Sequence, residues 1–182
     1  MKRTQIIIIS IIAMMIMLFI GTLIVATPRN TAIKLENQVT TNKANINKEE
    51  QRRVDLFNNL VDAVKSYDKY ESGTLEKITE ARSQANKGDV DKAEINLATV
   101  VEKYPDLKSQ KNYQQAMTEF SVTANRVADY QEAYNNSVKS YDNYVRSYPA
   151  NTLLDITGYS TRQYQQTNIK VDNQQARNLF SK

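Results

Sequence analysis

A chain of 182 residues has room for one modest domain and an appendage, not for two catalytic domains in tandem. It contains no cysteine and no histidine, which excludes disulfides, thiol nucleophiles, Cys/His zinc sites and every triad with an imidazole base. Four glycines and three prolines are too few for a turn-rich β protein. Its 24 basic and 20 acidic residues are interspersed and leave a net charge of +4, so no clustered basic surface marks a nucleic-acid-binding protein.

Residues 1–5 form a short basic start, with Lys2 and Arg3, ahead of 21 residues (6–26) that carry no charge. As a helix that run is about 31 Å long, the thickness of a bilayer's hydrocarbon core. Its nine Ile, two Leu, one Phe and one Val favour insertion by about 4–8 kcal/mol at the usual per-residue values. We read it as a retained single-pass anchor in the cell membrane. A cleaved signal peptide is the alternative, but the run exceeds the usual length of a signal core and Ile24 is a poor −3 residue for cleavage after Ala26. Lys2 and Arg3 on one flank are matched by Arg29, Lys34 and Lys43 on the other, so the positive-inside rule assigns no side.

Residues 27–45 are polar and read as a stalk that becomes helical towards its end. From Ile46 a heptad runs through Glu50, Arg53, Phe57, Leu60, Val64, Tyr67, Glu71, Thr74, Ile78, Ala81 and Ala85. Apolar or aromatic residues fill eight of those twelve positions, which predicts one helix of about 40 residues, bent near Gly73. Gly88-Asp89 predicts a stop and a new N-cap. A second helix should bury Val90, Ala93, Leu97, Val100, Val101 and Tyr104 and end at Tyr104-Pro105, since the residue before proline leaves the α region. The third helix has the cleanest heptad, Tyr113 through Met117, Phe120, Ala124, Val127, Gln131, Tyr134, Val138, Tyr141 and Val145 to Tyr148, ended by Pro149. Leu153, Leu154 and Ile156 suggest a short fourth segment. Residues 157–182 form a polar tail, expected to be partly disordered beyond Lys170.

Polar residues at helical spacing supply the candidate functional positions. Arg52, Asp55, Asn59, Asp62 and Ser66 share one face of the first long helix: either a docking stripe for a partner or a solvated face with internal pairs. Arg53, Glu50 and Glu71 fall on the core heptad, where a charge sets register between helices at some cost in stability. Arg126 stands similarly on the third helix, with Asn135 further along it. Tyr134, Tyr141 and Tyr148 recur every seven residues and are read as core residues with hydroxyls at the edge. Carboxylate-bridged metal centres in bundles need Glu-x-x-His pairs, and the isolated glycines form no phosphate loop, so no cofactor, metal site or enzymatic activity is expected.

One stretch resembles a known family. Gln51-Arg52-Arg53-Val54-Asp55-Leu56-Phe57-Asn58-Asn59-Leu60-Val61-Asp62-Ala63-Val64-Lys65 is similar to the signature of the LemA family of bacterial membrane-anchored helical proteins. The likeness continues through Thr74-Leu75-Glu76, Thr79-Glu80-Ala81-Arg82, Tyr104-Pro105-Asp106-Leu107-Lys108, Asn125-Arg126-Val127-Ala128, Tyr134-Asn135 and Arg146-Ser147-Tyr148-Pro149 to Asn151. Asn58 stands where the family usually has proline, and the tail matches poorly. The resemblance implies an all-α fold: an N-terminal transmembrane helix followed by an antiparallel, up-and-down four-helix bundle (residues 46–156) with two long helices. It brings no catalytic residues. Family context associates such proteins with envelope or stress-related roles, and in magnetic bacteria with organelle membranes. The expected function is a non-enzymatic, membrane-anchored scaffold or adaptor of the bacterial envelope that binds a protein partner, with Arg52, Arg53, Asp55, Asn59, Arg126 and Asn135 as docking or register-setting residues. The alternatives are a self-associating, membrane-organising protein and a cleaved, secreted bundle; nucleic acid is not an expected partner.

Overall fold

The structure, a computed structural model, describes residues 3–67, 70, 71 and 73–168, with only the backbone of Ile24. Every regular element among them is helical: α1 (Arg3–Lys65), α2 (Thr74–Asn86), α3 (Val90–Lys103), α4 (Pro105–Lys108), α5 (Lys111–Ser121), α6 (Thr123–Arg146) and α7 (Ala150–Ile156). The chain divides into two compact units. One comprises Met1–Asn42 with Ala133–Thr167, the other Lys43–Glu132 with Asn168–Lys182. The expected partial disorder beyond Lys170 concerns residues outside those described.

The first half of α1 is the apolar run, whose described side chains are exposed along its whole length. Among the described residues this is the one helix long and apolar enough to cross a membrane. Residues 27–45 are not a stalk with a late helical onset, because α1 passes through them without interruption. The reason is a seam that polar residues conceal: Pro28, Ala32 and Val39 are buried, with Glu36 and Asn42 partly so. Pro28 lies inside the helix and removes one backbone donor there.

In the first unit, residues 28–42 of α1 pack with the second half of α6. The Asn42 side-chain amide donates to the Ala133 carbonyl (3.2 Å), and the Tyr144 hydroxyl donates to the Pro28 carbonyl (3.4 Å). Rising numbers on α6 therefore meet falling numbers on α1. Ala32, Val39, Tyr134, Val138, Tyr141, Val145, Ala150 and Leu154 form the apolar filling. The heptad ends sooner than its spacing suggests. Tyr148 is 84 % exposed because α6 stops at Arg146 and the chain turns through 147–149 before α7.

In the second unit the predicted 40-residue helix is two helices. Its apolar positions are buried on both sides of the break, with Phe57, Leu60 and Val64 before it and Ile78, Ala81 and Ala85 after. A tyrosine cluster holds the chain out of the helix between them. Tyr67, Tyr70 and Tyr104 meet edge to face with centroids 4.9–6.1 Å apart. The Tyr70 hydroxyl donates to the Val64 carbonyl (2.6 Å), which also accepts from the Tyr67 backbone amide (3.1 Å) as α1 ends. The Tyr104 hydroxyl accepts from the Glu71 amide (3.1 Å) and bonds the Thr74 hydroxyl (3.0 Å). Gly73 (φ 88°) then starts α2 from the left-handed region, which glycine enters without steric penalty.

Beyond α2 the stop and capping signals hold. The Gly88 amide donates to Ala85 O and the Asp89 amide to Gln84 O, a Schellman closure with Gly88 at φ 89°. Asp89 Oδ1 then accepts from the Lys92 amide as the N-cap of α3. Pro105 opens the single turn of α4. The expected third long helix is interrupted at Val122, between α5 and α6, where the Thr123 hydroxyl donates to the Phe120 carbonyl at 2.6 Å. Phe57 and Phe120 meet edge to face at 5.5 Å within the core of this unit.

Candidate functional site

The second unit holds most of the sequence-predicted positions. Arg52, Asp55 and Asn59 all lie exposed on α1, beside the positions that bury Phe57, Leu60 and Val61. Arg52 is 4.0 Å from Glu49 and Asp55 accepts from Gln51 Nε2 at 3.2 Å, both contacts within one turn of α1. Asp62, on the same stripe, pairs instead with Arg82 of α2, which also donates to the Asn58 carbonyl.

Arg53 turns inward. Its guanidinium lies 2.8 Å from Asp91 and 3.4 Å from Glu94, both on α3, and 5.6 Å from the centre of the Phe120 ring. Three helices thus meet on one cation. The two carboxylates are unequal: the Glu94 side chain is 8 % exposed and that of Asp91 64 %. A charge pair at 8 % exposure is strong electrostatically but costly to desolvate, so its loss matters more than its presence. Arg53 also lines a polar cleft of about 460 Å³ with Glu50, Asp89, Asp91 and Gln131. Arg126 lies apart from this cluster, exposed on the first turn of α6.

Asn135 belongs to the first unit and does something the sequence reading did not anticipate. Residues 159–168 follow α7 without regular secondary structure, and α6 holds this strap by its backbone. The Asn135 amide nitrogen donates to Thr167 O (2.8 Å) while its oxygen accepts from Thr167 N (2.9 Å), so the side chain pairs as a neighbouring strand would. The Tyr134 hydroxyl donates to Gln165 O (3.1 Å), and the Arg162 amide donates to the buried Tyr141 hydroxyl (2.9 Å). Glu36 on α1 completes the grip, accepting from the Tyr159 hydroxyl at 2.7 Å and from Arg162 Nε at 2.9 Å. Burial, with the Tyr141 and Glu36 contacts behind it, pushes the Tyr159 phenol well above its usual range, so it stays protonated as Glu36's donor. Glu36 and Arg162 were missed by sequence reasoning. Glu36 lies midway between Ala32 and Val39, so a carboxylate on an otherwise apolar seam was the available signal.

These features define a class: a protein whose regular elements, among the described residues, are all helical, with one N-terminal helix long and apolar enough to span a bilayer. The chain belongs to the LemA family, whose model matches residues 42–178. That match runs through the tail, which the motif comparison alone had left out. A Metamycoplasma hominis relative, Protein LemA, is 27 % identical over 168 residues, covering 82 % of this chain and 76 % of its own. Magnetosome proteins MamQ 1 and MamQ 2 of Paramagnetospirillum magneticum are each 34 % identical over 68 residues, 37 % of this chain and 25 % of theirs.

Proposed function

We propose that this chain is a non-enzymatic scaffold or adaptor of the bacterial envelope, held at the membrane by a single N-terminal span. Its helices assemble as an antiparallel four-helix bundle, with Arg53 setting the register of α1 against α3. A protein partner docks on the stripe of Arg52, Asp55 and Asn59. The observation that carries this reading is the division of labour along α1: Arg53 and Asp62 are engaged with α3 and α2, while Arg52, Asp55 and Asn59 stay exposed beside a well-packed seam. An array of fixed charges on a rigid helix offers specificity through complementary charge. Crosslinking in membranes followed by affinity purification should recover a partner that Arg52→Glu with Asp55→Lys loses. An unchanged set of recovered proteins refutes the stripe.

Self-association is the second reading. It is favoured by an open polar cleft of about 710 Å³ along α1, lined by Asn30, Asn37, Gln38, Thr41 and Ser137, and by the partial likeness to magnetosome proteins. The mass of the purified chain across a concentration series decides it, since a strict monomer eliminates this reading.

A further inference from the structure

Outside the apolar run, Tyr148 (84 %) and Ile156 (70 %) are the most exposed large hydrophobic side chains among the described residues. Scattered exposed apolar residues are ordinary; two bracketing one seven-residue helix, both beside the end of a membrane span, call for a reason. Their place follows from contacts within the first unit. The Tyr144 hydroxyl meets the carbonyl of Pro28, two residues past Ala26, the last residue of the apolar run. Because α6 rises as α1 falls, Arg146 reaches about the level of Ala26, some 3 Å further along each helix, and Tyr148 passes it. Past the other end of α7, Thr157 lines a cleft whose α1 wall runs from Met14 to Ile33, and the Tyr159 hydroxyl reaches Glu36.

We propose that the α6–α7 turn and the end of α7 form a second, interfacial membrane contact. Tyr148 and Ile156 enter the headgroup and upper acyl zone of the leaflet from which α1 emerges. Tyrosine suits that zone, with an apolar ring for the acyl boundary and a hydroxyl for the headgroups. The charges there are balanced: Arg29 and Arg146 are accompanied by Asp142, 3.9 Å from Arg146, and by the exposed Asp155. The contact is therefore apolar in origin and needs no anionic lipid. Together with α1 it restrains the tilt of the first unit on the bilayer. This inference rests on the reading of α1 as a membrane span.

The chain has no tryptophan, so single substitutions give site-specific fluorophores. Full-length Phe19→Trp, Tyr148→Trp, Ile156→Trp and Asn136→Trp proteins would be reconstituted in phosphatidylcholine vesicles, with and without lipids brominated high on the acyl chain. Asn136 is exposed and eight residues back from Tyr144, about 12 Å along α6, so it controls for the affinity of tryptophan itself for interfaces. The expected result is blue-shifted, bromine-quenched emission from Tyr148→Trp and Ile156→Trp and water-like emission from Asn136→Trp. Quenching of Phe19→Trp with water-like emission from either Tyr148→Trp or Ile156→Trp overturns the second contact and spares the anchor. Quenching of Asn136→Trp as strong as theirs also overturns it, since the contact would then not be specific to α7. Absence of quenching in Phe19→Trp overturns the anchor, and the inference with it.

Discussion

Arg53→Ala offers the most discriminating test of how the second unit is held together. The substitution removes the cation between Asp91 and Glu94 while leaving both carboxylates in place. Asp91, at 64 % exposure, returns to water, so its share is worth about 0–1 kcal/mol. Glu94, at 8 %, stays in a poorly hydrated place, and breaking such a pair from one side costs about 3–5 kcal/mol. Because the Arg53 side chain itself retains 18 % exposure, water reaches part of the site and the lower end applies, about 3 kcal/mol. Losing the guanidinium over Phe120 adds about 0.5–1 kcal/mol. Arg53→Ala with Glu94→Gln removes the buried carboxylate's charge as well and should recover most of the loss, to within about 1–2 kcal/mol of the parent. Urea unfolding of the detergent-solubilised chain, followed by circular dichroism, reads both variants. Equal destabilisation of the single and double variants would refute the reasoning and assign the role of Arg53 to the packing of its aliphatic stem.

Asn135→Ala should leave the Thr167 amide and carbonyl without their partner, costing about 1–3 kcal/mol locally and speeding amide exchange at Thr167, measurable by hydrogen exchange with mass spectrometry. Gly88→Ala should destabilise by about 1 kcal/mol through its left-handed backbone alone, since nothing lies within 4 Å of an added Cβ; Gly88→Asn should cost less, and thermal melts compare the two. Burial raises the phenols of Tyr70 and Tyr113 from 10.0 to about 12. The folded chain therefore favours the neutral form, and the stability tied to these groups is complete below pH 10 and lost as pH rises towards 12; tyrosinate absorbance should show Tyr70 and Tyr113, along with Tyr159 and Tyr164, titrating late, a delay that urea unfolding abolishes. At the acid end, the Lys103 ammonium holds the Glu71 carboxyl below its usual range, so that contribution is present above the unfolded pKa of about 4.5 and fades as pH falls through the folded value; Lys103→Ala should move the Glu71 titration, followed by NMR, back up.

What the sequence discloses is burial more reliably than continuity. Phe57, Leu60 and Val64 and then Ile78, Ala81 and Ala85 were legible as one seam, and all six are buried. Gly73 signalled a bend, but a full break was not legible, because the chain leaves the helix after Lys65 and re-enters it in phase with the heptad. Periodicity registers phase, and a loop that preserves phase is invisible to it. The interruption at Val122 escaped for the same reason. Residues 27–45 failed in the opposite sense: Glu36 and Asn42 occupy seam positions, so a count of apolar residues finds no helix where the contacts demand one. Of the candidate positions, Arg53 was recognisable as a charge on an apolar heptad. Asn135 was named as a docking or register-setting position, but its hold on the strap was not legible, because its main partners are the Thr167 amide and carbonyl, which leave little pattern in side chains.

That last asymmetry bears on mutational tolerance. The strap offers α6 the Gln165 carbonyl, the Thr167 carbonyl and amide, and the Arg162 amide, groups that nearly every residue possesses. Only proline lacks the donor that Arg162 and Thr167 supply. A saturation scan should therefore find Gln165 indifferent to side-chain identity and Thr167 tolerant of most replacements but proline. The backbone-read part of the grip is written on the other side of the contact, in Tyr134, Asn135 and Tyr141, so the strap's composition is constrained chiefly at Tyr159, Arg162 and Tyr164, whose side chains meet Glu36 and Tyr141.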